Sequence, residues 1–454
     1  MLSRGRVLVA PAYLFACLIL GGSVQGIWQN MVLQLAGVAI IAWAALDRSA
    51  ERLPPAARQL LLLAIAAIAV VAVQLIPMPP SLWTHIGPRE QIAGDLSSLG
   101  IALPWQPLSV APAASLDALF RIVPALAMVC AMVPLRAYVP RWLAVALFAA
   151  TLSGIALGAM QIASSGAEVS PLYLYADTSV GRAVGFFANA DHMATLLVIS
   201  LPFLAATVAA ARSANMQRYS AVIAIAVGLA ILILIGLAMN GSLAAYSLGL
   251  PVLAGSALIV LRPGNRARLW LFGLALLLLA GSIGALEKTA IGSGRMGTHA
   301  STAVQSRAEL LLTTSRAASD FLPWGSGLGS FQSVYPLYED PLKVNADYVI
   351  HAHNDYAEVA LELGVAGIVL MILFLAWWAA AVWRTWRTAE AGPFARAATI
   401  ASAAVLVHSF VDFPLRTAAI SVCFGMCLAL LADSRAAPPR EKSDLRRKRH
   451  VEFK

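Results

Sequence analysis

Apolar runs of about 20 residues recur along almost the whole chain, and they limit the folds open to it. An α-helix needs about that length to cross the hydrocarbon core of a bilayer. The runs lack the alternation of barrel strands, and backbone groups in lipid must be satisfied internally. With 60% hydrophobic and 12% charged residues over 454 positions, a soluble protein is excluded. The predicted fold class is an all-α polytopic membrane protein.

The apolar runs divide into twelve predicted transmembrane spans. They cover residues 7–24, 29–46, 59–78, 113–134, 142–162, 191–210, 220–238, 242–261, 268–286, 356–382, 397–413 and 416–432. A long polar loop precedes the tenth span. The predicted regions are therefore a nine-helix membrane region (1–286), a periplasmic loop with a surface helix (287–354), three C-terminal membrane helices (355–433) and a basic cytoplasmic tail (434–454).

The distribution of basic residues sets the predicted orientation. With twelve spans, 23 of the 32 lysines and arginines fall on one side, eight of them in the C-terminal tail. Such an excess is typical of the cytoplasmic side, so both termini are expected there. The net charge of +9 therefore reflects membrane topology, and no nucleic acid partner is expected. The first apolar run lacks a small-residue cleavage site and is expected to remain. The four cysteines have no metal or disulfide spacing and are interpreted as packing residues.

A polar cluster at the start of the tenth span is the strongest candidate for chemistry. His351, His353, Asn354 and Asp355 precede a long apolar helix, and ionisable groups are costly at membrane depth. The cluster is therefore expected at a water-facing edge or in a cavity. A histidine here can accept a proton from a hydroxyl, with a nearby carboxylate such as Glu358 orienting it. An ordinary histidine at the water interface is the alternative. The spacing does not match a zinc site.

Three of the arginines on the predicted outer side are of particular interest, because basic residues are scarce on that side. Arg182 lies in the loop before the sixth span, and Arg307 and Arg316 lie on residues 306–321, whose apolar positions return at helical spacing. A guanidinium offers a planar fork that suits phosphate or carboxylate. The alternative is contact with lipid headgroups or an ion pair with a neighbouring carboxylate.

Two further motifs favour structural roles. The segment GSGLGSF (325–331) lacks the strand and the GK[ST] ending of a nucleotide loop, and is predicted to form a tight turn that permits close backbone approach. The segment HSFVDFPLR (408–416) predicts a short outer hairpin between the last two spans. Asp412 and Arg416 are four residues apart there and are expected to pair as part of a stabilising turn.

Taken together, these motifs resemble the O-antigen ligase and Wzy-type polymerase superfamily of bacterial envelope glycosyltransferases. The resemblance rests on RAVGFFANADHMA (182–194), on Ser306-Arg307 followed by PWGSGLGSF, and on HAHNDYAEVALELGVAG (351–367), with support from HSFVDFPLR. It covers most of the chain. It implies a GT-C-like fold in the bacterial inner membrane that transfers a glycan from a polyprenyl-diphosphate carrier to an acceptor hydroxyl at the periplasmic face. The implied reaction is inverting and needs no metal, cofactor or nucleotide sugar.

The resemblance also implies roles for individual residues. Arg307 matches the arginine that holds the donor diphosphate, and His353 matches the histidine that activates the acceptor. Arg182, Arg316, His351 and Asn354 complete the expected substrate-binding set. Many members of the superfamily carry a Ser-Arg pair at the mouth of a middle span. This sequence has Asn-Gly-Ser-Leu (240–243) instead, so Arg182 or Arg316 is expected to supply the second cation.

The acceptor and even the class of protein stay open at this point. A polymerase would join glycan repeat units, whereas a ligase would use a lipid A-core acceptor; the motifs do not separate the two, and a polymerase is slightly favoured. A protein oligosaccharyltransferase is a weaker option. From another class, the chain could be a lipid-linked glycan flippase or another twelve-span transporter. A transporter predicts two related halves and midplane charges. The halves here look unlike, and the polar residues gather at one membrane face.

Overall fold

A computed structural model describes residues 5–47, 53–164, 170–214, 217–261, 297–342, 349–388 and 391–433, with a few isolated positions between them, and describes 297–306 by backbone alone. These residues are mostly helical. Their helices are α1 Val9–Leu20, α2 Trp28–Leu46, α3 Pro55–Gln74, α4 Pro80–Trp83, α5 Arg89–Ser98, α6 Pro112–Met132, α7 Pro140–Ala163, α8 Ala190–Ser213, α9 Tyr219–Asn240, α10 Leu243–Leu261, α11 Gly297–Phe321, α12 Phe331–Val334, α13 Asp355–Arg387, α14 Pro393–His408 and α15 Ala418–Ala432. Short 3-10 turns lie at Arg6–Leu8, Tyr335–Leu337 and Pro414–Arg416.

The described strands are minimal. Strand β1 (Pro77–Met78) pairs with β2 (Gln106–Pro107) in an antiparallel ribbon, with Pro77 opposite Pro107. This ribbon closes the loop between α3 and α6. The fold class predicted from the sequence is therefore confirmed as mostly helical.

Seven of the described helices are long and apolar enough to cross a membrane. They are α2, α3, α6, α7, α8, α9 and α13. Shorter apolar helices coincide with α1, most of α10, α14 and α15. Eleven of the twelve predicted spans thus contain an apolar helix, whereas the ninth (268–286) lies almost entirely outside the described residues, as does the basic tail. The count of twelve stays a prediction.

Prolines explain why several helices begin earlier than the hydropathy pattern predicts. Pro55, Pro112, Pro140 and Pro393 occupy the first position of α3, α6, α7 and α14. The missing N–H of proline is not needed at that position, and its fixed φ already suits a helix. The start of α14 at Pro393 precedes the predicted start by four residues, because hydropathy does not detect the polar first turn.

Two helices form the centre of the described bundle. Helix α8 is buried over most of its length and packs against α9, α10 and α14. Helix α15 is buried throughout and packs against α1, α6 and α14. The four cysteines are free and buried, as expected for packing residues. Helices α8, α14 and α15 therefore hold both ends of the 409–417 hairpin on a rigid frame.

Candidate active site

The site begins at a break in α13 that the sequence interpretation did not foresee. The predicted tenth span was one continuous helix, but Gly364 has φ +59° and interrupts the helical backbone. A Cβ at Gly364 would lie 2.3 Å from the carbonyl oxygen of Pro323, and one at Gly325 would lie 2.5 Å from that of Glu362. Real Cβ contacts are not that short, so only glycine permits this approach of two backbone segments.

The glycine-rich turn supplies hydrogen bonds at the break. Ser326 N donates to Leu361 O at 2.9 Å, and Gly327 N donates to Glu362 O at 2.9 Å. A helix break leaves carbonyl groups without intrahelical partners, and the turn provides those partners. The turn predicted for residues 325–331 is confirmed, and it fixes the first segment of α13 together with the residues just before it.

His353 lies on this fixed segment in a conformation that few residues adopt. Its φ is +50°, in the left-handed region that is uncommon for residues with a side chain. Its Nδ1 lies 3.0 Å from Asp412 Oδ1, and its side chain is 29% exposed while Asp412 is fully buried. The carboxylate therefore orients the ring and leaves Nε2 for the open side. Glu358, the orienting carboxylate expected from the sequence, instead pairs with His351 and Arg416.

Asp412 is surrounded by imidazoles. Besides His353, His192 of α8 and His408 of α14 direct Nε2 atoms towards its second oxygen, at 3.5 Å and 3.9 Å. Burial opposes ionisation of Asp412, but the hydrogen bond from His353 and the nearby histidines outweigh it and lower the pKa of this carboxyl below its ordinary value. Asp412 therefore remains a carboxylate, and hence an acceptor for imidazole N–H groups, throughout the physiological pH range.

A second cluster lies four residues along the same hairpin. Arg416 lies 2.8 Å from Glu358 and 3.4 Å from both Asp355 and Glu362, three acids spaced along one face of α13. Burial would lower the pKa of Arg416, but the three carboxylates raise it above its ordinary value. The expected pairing of Asp412 with Arg416 is thus wrong, because each residue pairs across helices instead of along its own turn.

His351 belongs to the second cluster. Its Nδ1 lies 3.1 Å from Glu358 Oε2, and the same carboxylate accepts from the backbone N–H of Ala352 at 2.7 Å. The ring is buried, in contrast to that of His353. The two histidines therefore take different carboxylates, although both pack against the ring of Phe413, at 4.4 and 4.9 Å between centroids.

Asn354 caps α13. Its Oδ1 accepts from Ala357 N at 2.9 Å, and its Nδ2 donates to Phe410 O at 3.0 Å. Both ends of the amide thus bind backbone, one at the start of the helix and one in the 409–417 hairpin. The residue was predicted to bind substrate, and the geometry gives it a capping role.

Arg307 lies on the packing face of α11. Leu310, Thr314 and Ala317 follow it at helical spacing and are buried. Its Nη2 lies 3.2 Å from Asp191 Oδ2 in the first turn of α8, and its side chain remains 30% exposed. The next residue along α8 is His192, which faces Asp412. Arg307 and Asp412 therefore both contact the first turn of α8, through Asp191 and His192 respectively.

Arg316 is on the opposite face of the same helix. Nine residues separate it from Arg307, which is two and a half helical turns, and its side chain is exposed. The structure does not bring these two predicted diphosphate ligands together. The helix expected from the apolar spacing is present, but that same spacing places the two arginines apart.

Arg182 lies on an exposed part of the loop before α8, and Asn240 ties this loop to α9. Asn240 Nδ2 donates to Ala183 O and to Ala190 O, both at 2.9 Å. The residue after Arg182 is thus held at the C-terminal end of α9, where the sequence carries Asn-Gly in place of the Ser-Arg pair of many superfamily members. Arg182 therefore lies next to the position where many superfamily members have the arginine of the Ser-Arg pair.

A comparison with protein families bears on this region. Residues 226–372 match the family model described as O-Antigen ligase, which spans α9 to the first part of α13. These residues are similar to an O-antigen ligase domain. The resemblance to the O-antigen ligase and Wzy-type superfamily is thereby confirmed over these residues. The apolar helices and this match together support a multi-pass membrane protein with a role in polysaccharide biosynthesis. None of the curated proteins compared with the chain matches it.

The matched residues contain Arg307 and His353 but not their partners Asp191 and Asp412. Asp191, His192 and Asp412 lie outside residues 226–372 and are joined to them only in the fold. The sequence interpretation missed His192, His408 and Asp412 as members of one cluster. One signal was available, since all three are ionisable residues in or next to apolar spans, which mark functional positions in membranes. Among the described residues, no group of His, Cys, Asp or Glu has metal-binding geometry.

Proposed function

We propose that this protein transfers a glycan from a polyprenyl-diphosphate carrier to an acceptor hydroxyl at the periplasmic face of the inner membrane. The observation that carries the proposal is the His353–Asp412 pair at 3.0 Å, with the carboxylate buried and the imidazole half-buried. A buried carboxylate that holds Nδ1 fixes the tautomer and leaves Nε2 as a base.

The proposed reaction is a direct displacement. His353 Nε2 takes the proton of the acceptor hydroxyl, whose oxygen attacks the anomeric carbon while the bond from that carbon to the phosphate oxygen breaks. Polyprenyl diphosphate leaves with the electron pair, and the anomeric centre inverts. Asp412 stabilises the imidazolium that forms. The reaction as written needs no metal and no cofactor.

Cations must neutralise the charge that develops on the leaving diphosphate. Arg307 is the proposed first ligand, because it is half-exposed and lies against the turn of α8 that also faces Asp412. Asp191 pairs with this guanidinium at 3.2 Å. Arg182 is the proposed second ligand, since Asn240 anchors its loop at the end of α9. Arg316 is the weaker candidate, because it lies on the opposite face of α11.

Transfer by the purified protein in proteoliposomes tests the proposal. Lipid-linked glycans extracted from a deletion strain serve as donor, and mass analysis of those glycans identifies the sugar. We expect new glycosidic bonds and free polyprenyl diphosphate without any ion gradient. Growth of glycan on the carrier indicates a polymerase, and attachment to lipid A-core indicates a ligase. Movement of the donor across the bilayer without a new bond would instead indicate a flippase and contradict the proposal.

The proposed orientation is tested by labelling. Leu342 is exposed in the loop before α13, and Thr388 is exposed at the C-terminal end of α13. Cysteines placed at these two positions should react with an impermeant reagent from opposite sides, the first from the periplasm. The native cysteines are buried, so the background is low. Labelling of both from one side would contradict the orientation and the span count.

A further inference from the structure

The proposed reaction does not explain what donates a hydrogen bond to the second oxygen of Asp412. Oδ1 is hydrogen-bonded to Nδ1 of His353, but Oδ2 is buried and has no hydrogen-bond partner among the described residues. Leaving a buried carboxylate oxygen without a donor is expensive. Two imidazole nitrogens face it, from His192 at 3.5 Å and from His408 at 3.9 Å, and both are themselves buried and unpartnered.

Thr195 determines which of the two imidazoles donates. Its hydroxyl has a single hydrogen and lies 2.8 Å from Asp191 O, one helical turn back, and 2.7 Å from His408 Nδ1. When the hydrogen bonds to the carbonyl oxygen, the hydroxyl can only accept from His408, so Nδ1 of His408 carries the proton. A neutral His408 then directs a lone pair, and no hydrogen, towards Asp412.

His192 has no such constraint. Neither of its ring nitrogens has a hydrogen-bond partner in the described part of the chain, and its ring packs edge-on against Phe413 at 5.2 Å. The neutral ring is free to carry its proton on Nε2, and it is then the nearest donor to Oδ2. Core packing alone does not explain why a ring with two unpartnered nitrogens lies beside the buried carboxylate of Asp412.

We propose that His192 and His408 are positioning residues for the transfer reaction, which hold the buried carboxylate of Asp412 so that its other oxygen faces His353. This inference rests on the proposed function of His353. His192 donates from Nε2 to Oδ2, and His408, fixed by Thr195, closes the far side and prevents rotation of the carboxylate. The half-exposed imidazole is thereby oriented by an array that contacts neither substrate.

The same part of α8 also contacts Arg307, the proposed ligand of the lipid-linked donor. Asp191 binds Arg307 at 3.2 Å, His192 faces Asp412, and Thr195 binds His408. These three residues lie within one and a half turns of a helix whose first turn is capped by Asn189. The proposed donor ligand and the proposed base are therefore positioned by one rigid element and keep their relative places.

The test removes the hydrogen-bond donor of His192 while keeping an aromatic ring at that position. His192→Phe removes the N–H that faces Oδ2, and His192→Gln returns an N–H to a similar place. We expect His192→Phe to lower kcat about 10–100-fold, by analogy with the hydrogen-bond partners of metal-ligating imidazoles, with KM for the lipid-linked donor unchanged. His192→Gln should recover most of the rate. The matched control is His85→Phe, because His85 is exposed in the loop between α3 and α6 and should leave kcat unchanged.

A readout independent of activity separates this inference from the proposed function. In protein labelled with ¹⁵N-histidine, the Nδ1 proton signal of His353 should disappear in Asp412→Asn, shift in His192→Phe and stay in place in His85→Phe. If wild-type protein transfers no glycan, the proposed function fails, and this signal still decides the inference. If His192→Phe fails to accumulate, Thr195→Val tests the same array through His408. An unchanged kcat and an unchanged signal in the tested variant would overturn the inference.

Discussion

The 409–417 hairpin contributes one residue to each of two charged clusters. Both clusters combine histidine with carboxylate, but they differ in how far their histidine is exposed. At Asp412 one buried carboxylate meets three histidines, and one of these, His353, reaches the open side. At Arg416 one cation, whose side chain is 15% exposed, meets three carboxylates, and the histidine of this cluster, His351, is buried. The first cluster keeps a free ring nitrogen at an accessible position, whereas the second uses its charges to join helices. Of these two clusters, the first is the one that the proposed reaction uses.

The largest expected effect on activity separates the two histidines. His353→Ala should lower kcat about 10²–10⁴-fold, because a general base contributes that much. Binding of the lipid-linked donor should persist, since the arginines remain. His351→Ala should lower kcat far less, and its main effect should be on thermal stability. Turnover and donor binding are measured separately for both variants. Equal losses of kcat would break the distinction between the clusters, and a loss of donor binding alone in His353→Ala would make it a carrier ligand.

The Arg416 cluster should respond mainly in stability. Arg416→Met leaves Glu358 and Glu362 buried without a cation, and breaking a buried ion pair in this way costs about 3–5 kcal/mol. The unfolding temperature in detergent measures this effect. Arg121→Met is the matched control, because Arg121 forms a partly exposed ion pair with Asp117 one turn away, worth about 0–1 kcal/mol. A normal unfolding temperature with lost turnover in Arg416→Met would instead assign this cluster to the chemistry.

The smallest of these effects concerns the two arginines of α11. Arg307→Lys keeps the charge but loses the planar fork, so we expect kcat/KM for the lipid-linked donor to fall about 10-fold or more. Arg316→Lys, on the opposite face, should change it little. Both variants are compared at equal abundance in the membrane. A greater loss in Arg316→Lys than in Arg307→Lys would reverse the proposed assignment.

The spans could be predicted from the sequence because apolar length alone indicates them, whereas the partners within the site could not. His353 and Arg307 were predicted from motifs that are local in sequence. Asp412 is 59 residues from His353, and His192 is farther still, so no local pattern joins them. The separation of Arg307 from Arg316 was available without a structure, because nine residues turn a helix by half a revolution beyond two full turns.

The break at Gly364 shows a different limit. The segment around it reads as one apolar helix, and its glycine is needed only because another backbone segment approaches from the 325–331 turn. Such a requirement depends on a tertiary contact that hydropathy does not contain. In the same way, the prolines at the first turns of α3 and α14 mark helix starts that an apolar window places too late.

The most direct test of the central claim is Asp412→Asn, which preserves the shape of the side chain that holds His353. An amide in this place no longer stabilises the imidazolium and can favour the wrong tautomer. We predict that kcat falls about 10²–10⁴-fold, that the affinity for the lipid-linked donor is unchanged, and that the unfolding temperature stays near that of the wild type. A near-normal kcat in Asp412→Asn would contradict the assignment of His353 and Asp412 as the reacting pair.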